Sequence, residues 1–109
     1  MKIENTKAQM RKGVLEYCIL LVLDGKPLYA NNIIDELKQS KMIVVEGTLY
    51  PLLTRLKNAG LLAYRWKEST QGPPRKYYEL TGIGKEFLKE LGRSWDELTG
   101  AVELIKSHK

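Results

Sequence analysis

The sequence predicts a mainly helical α+β fold, a winged helix-turn-helix with a β-hairpin wing and a long C-terminal dimerisation helix. Three patterns support this fold class. Apolar residues recur at helical spacing up to residue 58, alternate with more polar residues over 62–67, and follow a 3- and 4-residue repeat over 88–105. The 109 residues suit a single domain-sized unit. We expect residues 1–80 to form the winged helix-turn-helix, including the N-terminal helix, and residues 81–109 to form the dimerisation helix.

The first two predicted helices cover residues 5–24 and 30–40 and are separated by the turn sequence "DGKP". Every residue from 17 to 23 is apolar, which predicts a helix segment that is buried on all sides. Because glycine weakens a helix, Gly13 is expected to divide the first helix into two pieces.

The third predicted helix runs from about residue 46 to residue 58 and contains a proline, Pro51. Its apolar face recurs at 3- and 4-residue spacing and comprises Leu49, Leu52, Leu53 and Leu56. The opposite face is small and polar and carries Gly47, Thr48, Pro51, Thr54, Arg55 and Asn58. A helix that begins near residue 46 places the proline close to its first turn, where the missing N–H group costs least.

The segment after the third helix changes to a period of two. Leu62, Tyr64 and Trp66 alternate with more polar positions, as in a strand with one buried face. The turn sequence "STQGPP" and the returning strand "RKYYEL" complete a β-hairpin. Four basic residues and one acidic residue over 65–76 give this hairpin a charge of +3.

The final predicted helix follows Thr81, which is a suitable N-cap, and runs toward residue 106. Its apolar residues form a heptad seam, the predicted dimer interface, made of Leu88, Leu91, Trp95, Leu98, Val102 and Ile105. A helix of about 25 residues is roughly 38 Å long, which is too long for a small core to cover. Its outer half therefore needs a partner, most simply a second copy of the chain.

Composition and charge restrict the function classes. The net charge of +5 and the pI of about 9.3 suit a polyanion such as DNA, an acidic membrane face or an acidic protein. The single cysteine, Cys18, and the lack of a signal-peptide pattern favour a cytoplasmic protein. The single histidine, His108, and the absence of catalytic or metal-binding motifs predict that the chain is not an enzyme and carries no cofactor or metal.

The order of elements predicts a DNA-binding surface. The third helix would lie in the major groove, the basic hairpin would contact the backbone or the minor groove, and the N–H groups that open the second helix would hold a phosphate. The candidate DNA-binding residues are Arg11, Lys12, Tyr29, Asn31, Asn32, Gly47, Thr48, Tyr50, Pro51, Thr54, Arg55, Asn58, Gly72, Arg75 and Lys76.

Each of these features has a simpler explanation when it is taken alone. A polar helix face or a basic hairpin is more often merely solvated, and aromatic residues in a hairpin more often pack than bind a ligand. A winged helix that binds another protein and no DNA is the alternative function. Only the occurrence of all these features in one order favours double-stranded DNA with a roughly palindromic operator.

Two segments carry a family resemblance. "EGTLYPLLTRLKNAGLL", followed by "GPPRKYYELTGIGKEFL", resembles the PadR family of transcriptional regulators in its TLYPLL-x-RL and RKYY-x-LT-x-x-G motifs. The resemblance is good over residues 11–91, and the short C-terminal part is similar to the compact subgroup with one C-terminal helix. It implies a dimeric repressor whose last helix packs against the partner's first helix, and repression that a small molecule relieves.

Some members that sense drugs carry a Ser-Trp pair on the last helix, and Ser94–Trp95 matches it. The resemblance implies a cavity in which flat aromatic compounds stack on the tryptophan, and a carboxylate there would favour cationic ligands. The candidate ligand-binding residues are Met10, Gly13, Glu16, Tyr17, Trp95 and Asp96. The alternative is that Trp95 simply packs in the heptad seam.

The chain departs from the family pattern at two positions. Ala30 stands where a glycine follows the tyrosine in many members, and Val45 stands where Ser or Thr is a frequent helix cap.

Overall fold

A computed structural model describes residues 1–69 and 72–108 of the chain. Over these residues the chain forms, in order, α1 (Ile3–Val22), β1 (Leu28–Tyr29), α2 (Ala30–Gln39), α3 (Glu46–Asn58), β2 (Leu62–Ser69), β3 (Gly72–Leu80) and α4 (Gly82–Ser107). This order is that of a winged helix-turn-helix followed by one long helix, so the predicted fold class is confirmed. None of the helices described is both long enough and apolar enough to span a bilayer.

The sheet is antiparallel, with strand order β1-β3-β2. In the β2–β3 hairpin Tyr64 pairs with Tyr78 and Lys67 pairs with Arg75, and the register shifts between Lys67 and Ser69. The hairpin was predicted, but β1 was not, because two residues are too few to show a period. Thr70 and Gln71, in the predicted hairpin turn, lie outside the described residues.

The core lies where α1, α2, α3 and the base of the hairpin meet. Its fully buried side chains come from the three helices and from the residue that follows α1, and are Ile19, Leu20, Leu23, Ile33, Leu49 and Leu53. Leu61, Leu62 and Tyr78 close the core from the hairpin side, and Leu88 closes it from α4. The apolar face predicted for α3 is thereby confirmed: Leu49 and Leu53 are fully buried, and Leu52 is partly buried.

Two expectations about α1 were wrong. The helix runs without a break through Gly13, because a single exposed glycine weakens a 20-residue helix without interrupting it. The apolar run from 17 to 23 is not buried on all sides, since α1 packs mainly against α2 and α4 and Leu21 remains 46% exposed.

The alternating burial predicted for β2 is confirmed for the residues close to the core and is wrong for the residues beyond it. Leu62 is buried and Tyr64 is half-buried, whereas Trp66 is 63% exposed. Beyond Tyr64, the β2 residues Arg65, Trp66, Lys67 and Glu68 are all exposed, so the outer half of the hairpin lies outside the core. It therefore stands out from the domain as a wing.

Pro51 is accommodated within α3, which begins five residues earlier at Glu46. The Val45 carbonyl accepts from the N–H groups of Thr48 and Leu49, both at 3.0 Å. Val45 makes no side-chain cap, as its apolar side chain predicts. At the other end, Gly60 adopts φ = +82°, a conformation that suits glycine after a helix.

Candidate nucleic-acid interface

The outer side of α3 is exposed along its whole length. We call this surface the reading face; its residues are Gly47, Thr48, Pro51, Thr54, Arg55 and Asn58, and all six are exposed. Leucines anchor the opposite side of the helix in the core. Because the residues at the start of the reading face are small, the helix backbone can approach another surface closely.

On one side of the reading face, a groove of about 390 Å³ separates α3 from the hairpin. We call it the wing groove; its lining residues are Tyr29, Ala30, Asn31, Tyr50, Thr54, Trp66, Pro74, Arg75, Lys76 and Tyr78. Six candidate DNA-binding residues thus come together from β1, α2, α3 and the wing: Tyr29, Asn31, Tyr50, Thr54, Arg75 and Lys76. Ala30 and Asn31 are the first residues of α2, so the N-terminal end of this helix, whose N–H groups have no partner within the helix, borders the groove.

Aromatic rings hold the cations of the wing. The guanidinium of Arg75 lies 5.2 Å from the ring centre of Tyr29, and the ammonium of Lys76 lies 4.5 Å from that of Tyr64 and 5.3 Å from that of Trp66. The quadrupole of an aromatic ring attracts a cation placed over the ring face, and at exposed sites this attraction contributes about 0.5–1 kcal/mol. The positive charges are thus held in place before any ligand arrives.

Arg75 lies over the ring of Tyr29, and that ring in turn stacks on the ring of Tyr77. The ring centres of Tyr29 and Tyr77 are 3.8 Å apart, and the strands pair at these two residues. The side chain of Tyr77 raises the pKa of Tyr29 above its ordinary value, chiefly through side-chain hydrogen bonding. Since Tyr29 is also the residue that precedes α2, this stack joins the wing to the helix-turn-helix.

On the other side of the reading face, a hollow of about 580 Å³ separates α3 from α1. We call it the α1 hollow. It is lined by Arg11 and Lys12 of α1, by Gly47, Thr48 and Pro51 of α3, and by the apolar link between α2 and α3. The reading face therefore has basic residues on both of its long sides, Arg75 and Lys76 on one and Arg11 and Lys12 on the other.

Arg55 lies at the edge of the reading face and contacts α1. Its guanidinium Nη1 is 2.9 Å from a carboxylate oxygen of Glu16. This pair joins a candidate DNA-binding residue to a candidate ligand-binding residue. This pair could not be predicted from the sequence, because nothing in a linear pattern indicates which side chains of α1 and α3 meet.

Besides Arg55, three candidate DNA-binding residues lie outside both cavities. Asn32 is exposed on α2, Asn58 lines a smaller hollow of about 140 Å³ beside Tyr64, and Gly72 lies at the outer end of the wing. Sequence reasoning missed Trp66, Pro74 and Tyr78 as parts of the wing groove. The hairpin register would have suggested Trp66, because it pairs with Lys76.

The candidate ligand residues are only partly brought together within one chain. The rings of Tyr17 and Trp95 are in contact, with centres 6.2 Å apart and a 41° angle between their planes. Met10 is 72% exposed, Gly13 and Asp96 are also exposed, and Glu16 points to Arg55.

The heptad seam of α4 divides into an inner and an outer part. Leu88 is 8% exposed and Leu91 packs on the core, so their own chain already covers them. The outer part, Trp95, Leu98, Val102 and Ile105, is 39–64% exposed.

Comparison with known proteins gives one consistent result. Residues 19–90 match the sequence model of the transcriptional regulator PadR-like family. A PadR-like transcription factor from Bacteroides fragilis is 65% identical, with a TM-score of 0.79 over 93% of this chain and 98% of that one. A PadR family regulator from Eggerthella lenta is 31% identical, with a TM-score of 0.87 over 94% of this chain and 90% of that one.

A structure described as Bacillus subtilis PadR in complex with operator DNA is also similar. It is 27% identical, with a TM-score of 0.66 over 72% of this chain and 46% of that one.

Proposed function

The chain belongs to the PadR-like family of transcriptional regulators, and we propose that it binds operator DNA as a homodimer and represses transcription until a small molecule binds. Membership in a family of regulators agrees with the expectation that the chain is not an enzyme. The observation that carries the proposal is the arrangement of charge around α3. A face of small and polar residues lies between two basic cavities, the wing groove and the α1 hollow.

This arrangement matches the shape of duplex DNA. The major groove is about 12 Å wide and admits one helix, with a phosphate backbone along each of its sides. When α3 enters the major groove with its reading face toward the base pairs, Arg75 and Lys76 approach one phosphate backbone. Arg11 and Lys12 then approach the other. Phosphate contacts position the protein, while Thr54, Asn58 and Arg55 are available to the base edges.

The similarity to a regulator in complex with operator DNA supports the same use of the fold here. The exposed outer seam of α4 supports pairing of two copies, because a row of large apolar side chains gains free energy when it leaves water. A two-fold axis through such a pair places two α3 helices on successive turns of a palindromic site.

The contact between Tyr17 and Trp95 supports the effector part of the proposal. Two aromatic rings from different helices form the beginning of a site for a flat compound. Asp96 is adjacent and exposed, so a cationic aromatic compound is favoured.

The experiment starts from duplexes that the wild-type protein selects from a random pool. Arg75→Ala is expected to weaken binding and to lower the slope of log affinity against log salt by about one, because one phosphate contact is lost. Lys38→Ala removes the same charge from the end of α2, away from both cavities, and serves as the matched control.

Equal salt slopes for Arg75→Ala and wild type would contradict the placement of the wing on the backbone. Selection that yields no preferred duplex would contradict DNA recognition itself and would favour a winged helix that binds protein.

A further inference from the structure

The ion pair between α1 and α3 is not needed to hold the domain together. The side chain of Arg55 is 72% exposed and that of Glu16 is 29% exposed. An ion pair with one partner this exposed contributes little to stability, because water screens it and both side chains lose freedom. The core beneath it is formed by leucines and isoleucines, not by this pair.

The pair instead orients one cation at the edge of the reading face. Successive residues of a helix are rotated by about 100°, so Arg55 points toward α1 and away from the direction of its neighbour Thr54. It lies on the same side of α3 as Thr48. A guanidinium has five N–H donors in a planar fork. Glu16 contacts Nη1 of Arg55, and the other N–H donors of the guanidinium are free to point outward.

We propose that Glu16 is a specificity-determining residue, which holds Arg55 so that its free donors meet a guanine edge rather than the nearest phosphate. The inference rests on the proposed DNA-binding function. A bidentate arginine–guanine contact needs one orientation of the guanidinium, and a side chain that is already oriented loses less freedom on binding. The carboxylate also repels phosphates, which disfavours contacts with DNA of any sequence.

The test uses the selected operator duplex and a scrambled duplex of the same composition. Glu16→Gln is expected to bind the scrambled duplex more tightly and to lose roughly tenfold in the ratio of operator to scrambled affinity. Arg55→Ala is expected to lose the preference for one base pair of the operator. The double variant is expected to show the same preference as Arg55→Ala alone, since Glu16 acts through Arg55.

Glu4→Gln is the matched control, because it makes the same charge change on α1 about 18 Å further along the helix. If Glu16→Gln changes both affinities by one common factor, as Glu4→Gln does, the effect is general electrostatics and the proposal is overturned. A wild-type protein with no preferred duplex would overturn the proposed function as well, so the two failures are distinguishable.

Arg55→Lys provides a second test that leaves Glu16 unchanged. It keeps the charge but replaces the planar fork by a point charge. We expect it to retain scrambled-duplex affinity and to lose the preference at the same base pair. Retention of that preference would overturn the proposal.

Discussion

At the scale of single residues, the wing is organised by contacts between cations and aromatic rings. Lys67 lies 5.0 Å from the ring centre of Tyr77, and Arg75 lies 5.2 Å from that of Tyr29. Because the two rings are themselves stacked, the four side chains form a column that spans β1, β3 and β2. Removing one ring therefore affects the direction of a cation as well as local packing.

The close pairing of Tyr29 with Tyr77 predicts a pH dependence. It raises the pKa of Tyr29 above the ordinary value of 10.0, so the folded state holds this proton more tightly than the unfolded state. The resulting stabilisation is fully present below pH 10 and is lost as pH rises through the higher folded-state pKa. Between pH 9 and 11, the free energy of unfolding of the Tyr29→Phe variant, measured with urea, is expected to fall less than that of the wild type. Identical losses would contradict the raised pKa of Tyr29.

The contact between Tyr17 and Trp95 predicts where a flat compound binds. Proflavine, a flat aromatic cation, is expected to quench the fluorescence of a Trp66→Phe variant, whose remaining tryptophan is Trp95. It should leave a Trp95→Phe variant largely unquenched, because Trp66 lies in the wing groove. Equal quenching in the two variants would rule out this site.

At the scale of elements, α4 is anchored to the domain through its first turn. Thr81 donates its hydroxyl proton to the Gly60 carbonyl at 2.7 Å and accepts from the Gly84 N–H at 2.9 Å. Gly84 is buried, and a Cβ there would lie 2.1 Å from the carbonyl oxygen of Leu61. The end of α3, the start of β2 and the start of α4 thus meet at one tightly packed point.

This close approach predicts opposite effects for two glycines of the same helix. Gly84→Ala is expected to destabilise the protein by about 1–3 kcal/mol, because the backbone of Leu61 must move. Gly100→Ala is expected to stabilise it by about 0.5–1 kcal/mol, since its Cβ meets no atom within 4 Å and alanine favours the helix. Gly100 lies on the side of α4 opposite the seam. Thermal and urea unfolding measure both changes, and a neutral Gly84→Ala would contradict the packing.

Helices α2, α3 and α4 and the hairpin were predictable because each has a long periodic pattern. The end of α3 and the cap at Thr81 were also predicted correctly, since Gly60 and Thr81 mark them; the start of α3 was predicted from its apolar spacing, because Val45 provides no side-chain cap. Leu21 and Trp66 show which features of the fold a periodic sequence pattern does not predict. An apolar run does not say which neighbours cover it, and an alternating strand does not say where the core ends. The pairing of Glu16 with Arg55 depends on the tertiary contact alone.

At the scale of the whole molecule, the chain is elongated. Its radius of gyration is 16.1 Å and its extents are 59 × 33 × 23 Å, whereas a compact chain of this length has a radius of about 13 Å. The 26 residues of α4 account for the excess, because the outer half of this helix extends beyond the core. Leu98, Val102 and Ile105 are exposed on that half. Burial of this stripe against a second copy would turn one DNA-reading unit into a pair.

The most direct test of a paired DNA-binding protein is sedimentation velocity of the 12.5 kDa chain with a selected duplex, at micromolar concentration. We expect a dimer in the absence of DNA and a complex of two chains per duplex in its presence. Monomers that remain single when the duplex is added, or a complex with one chain per duplex, would contradict the account.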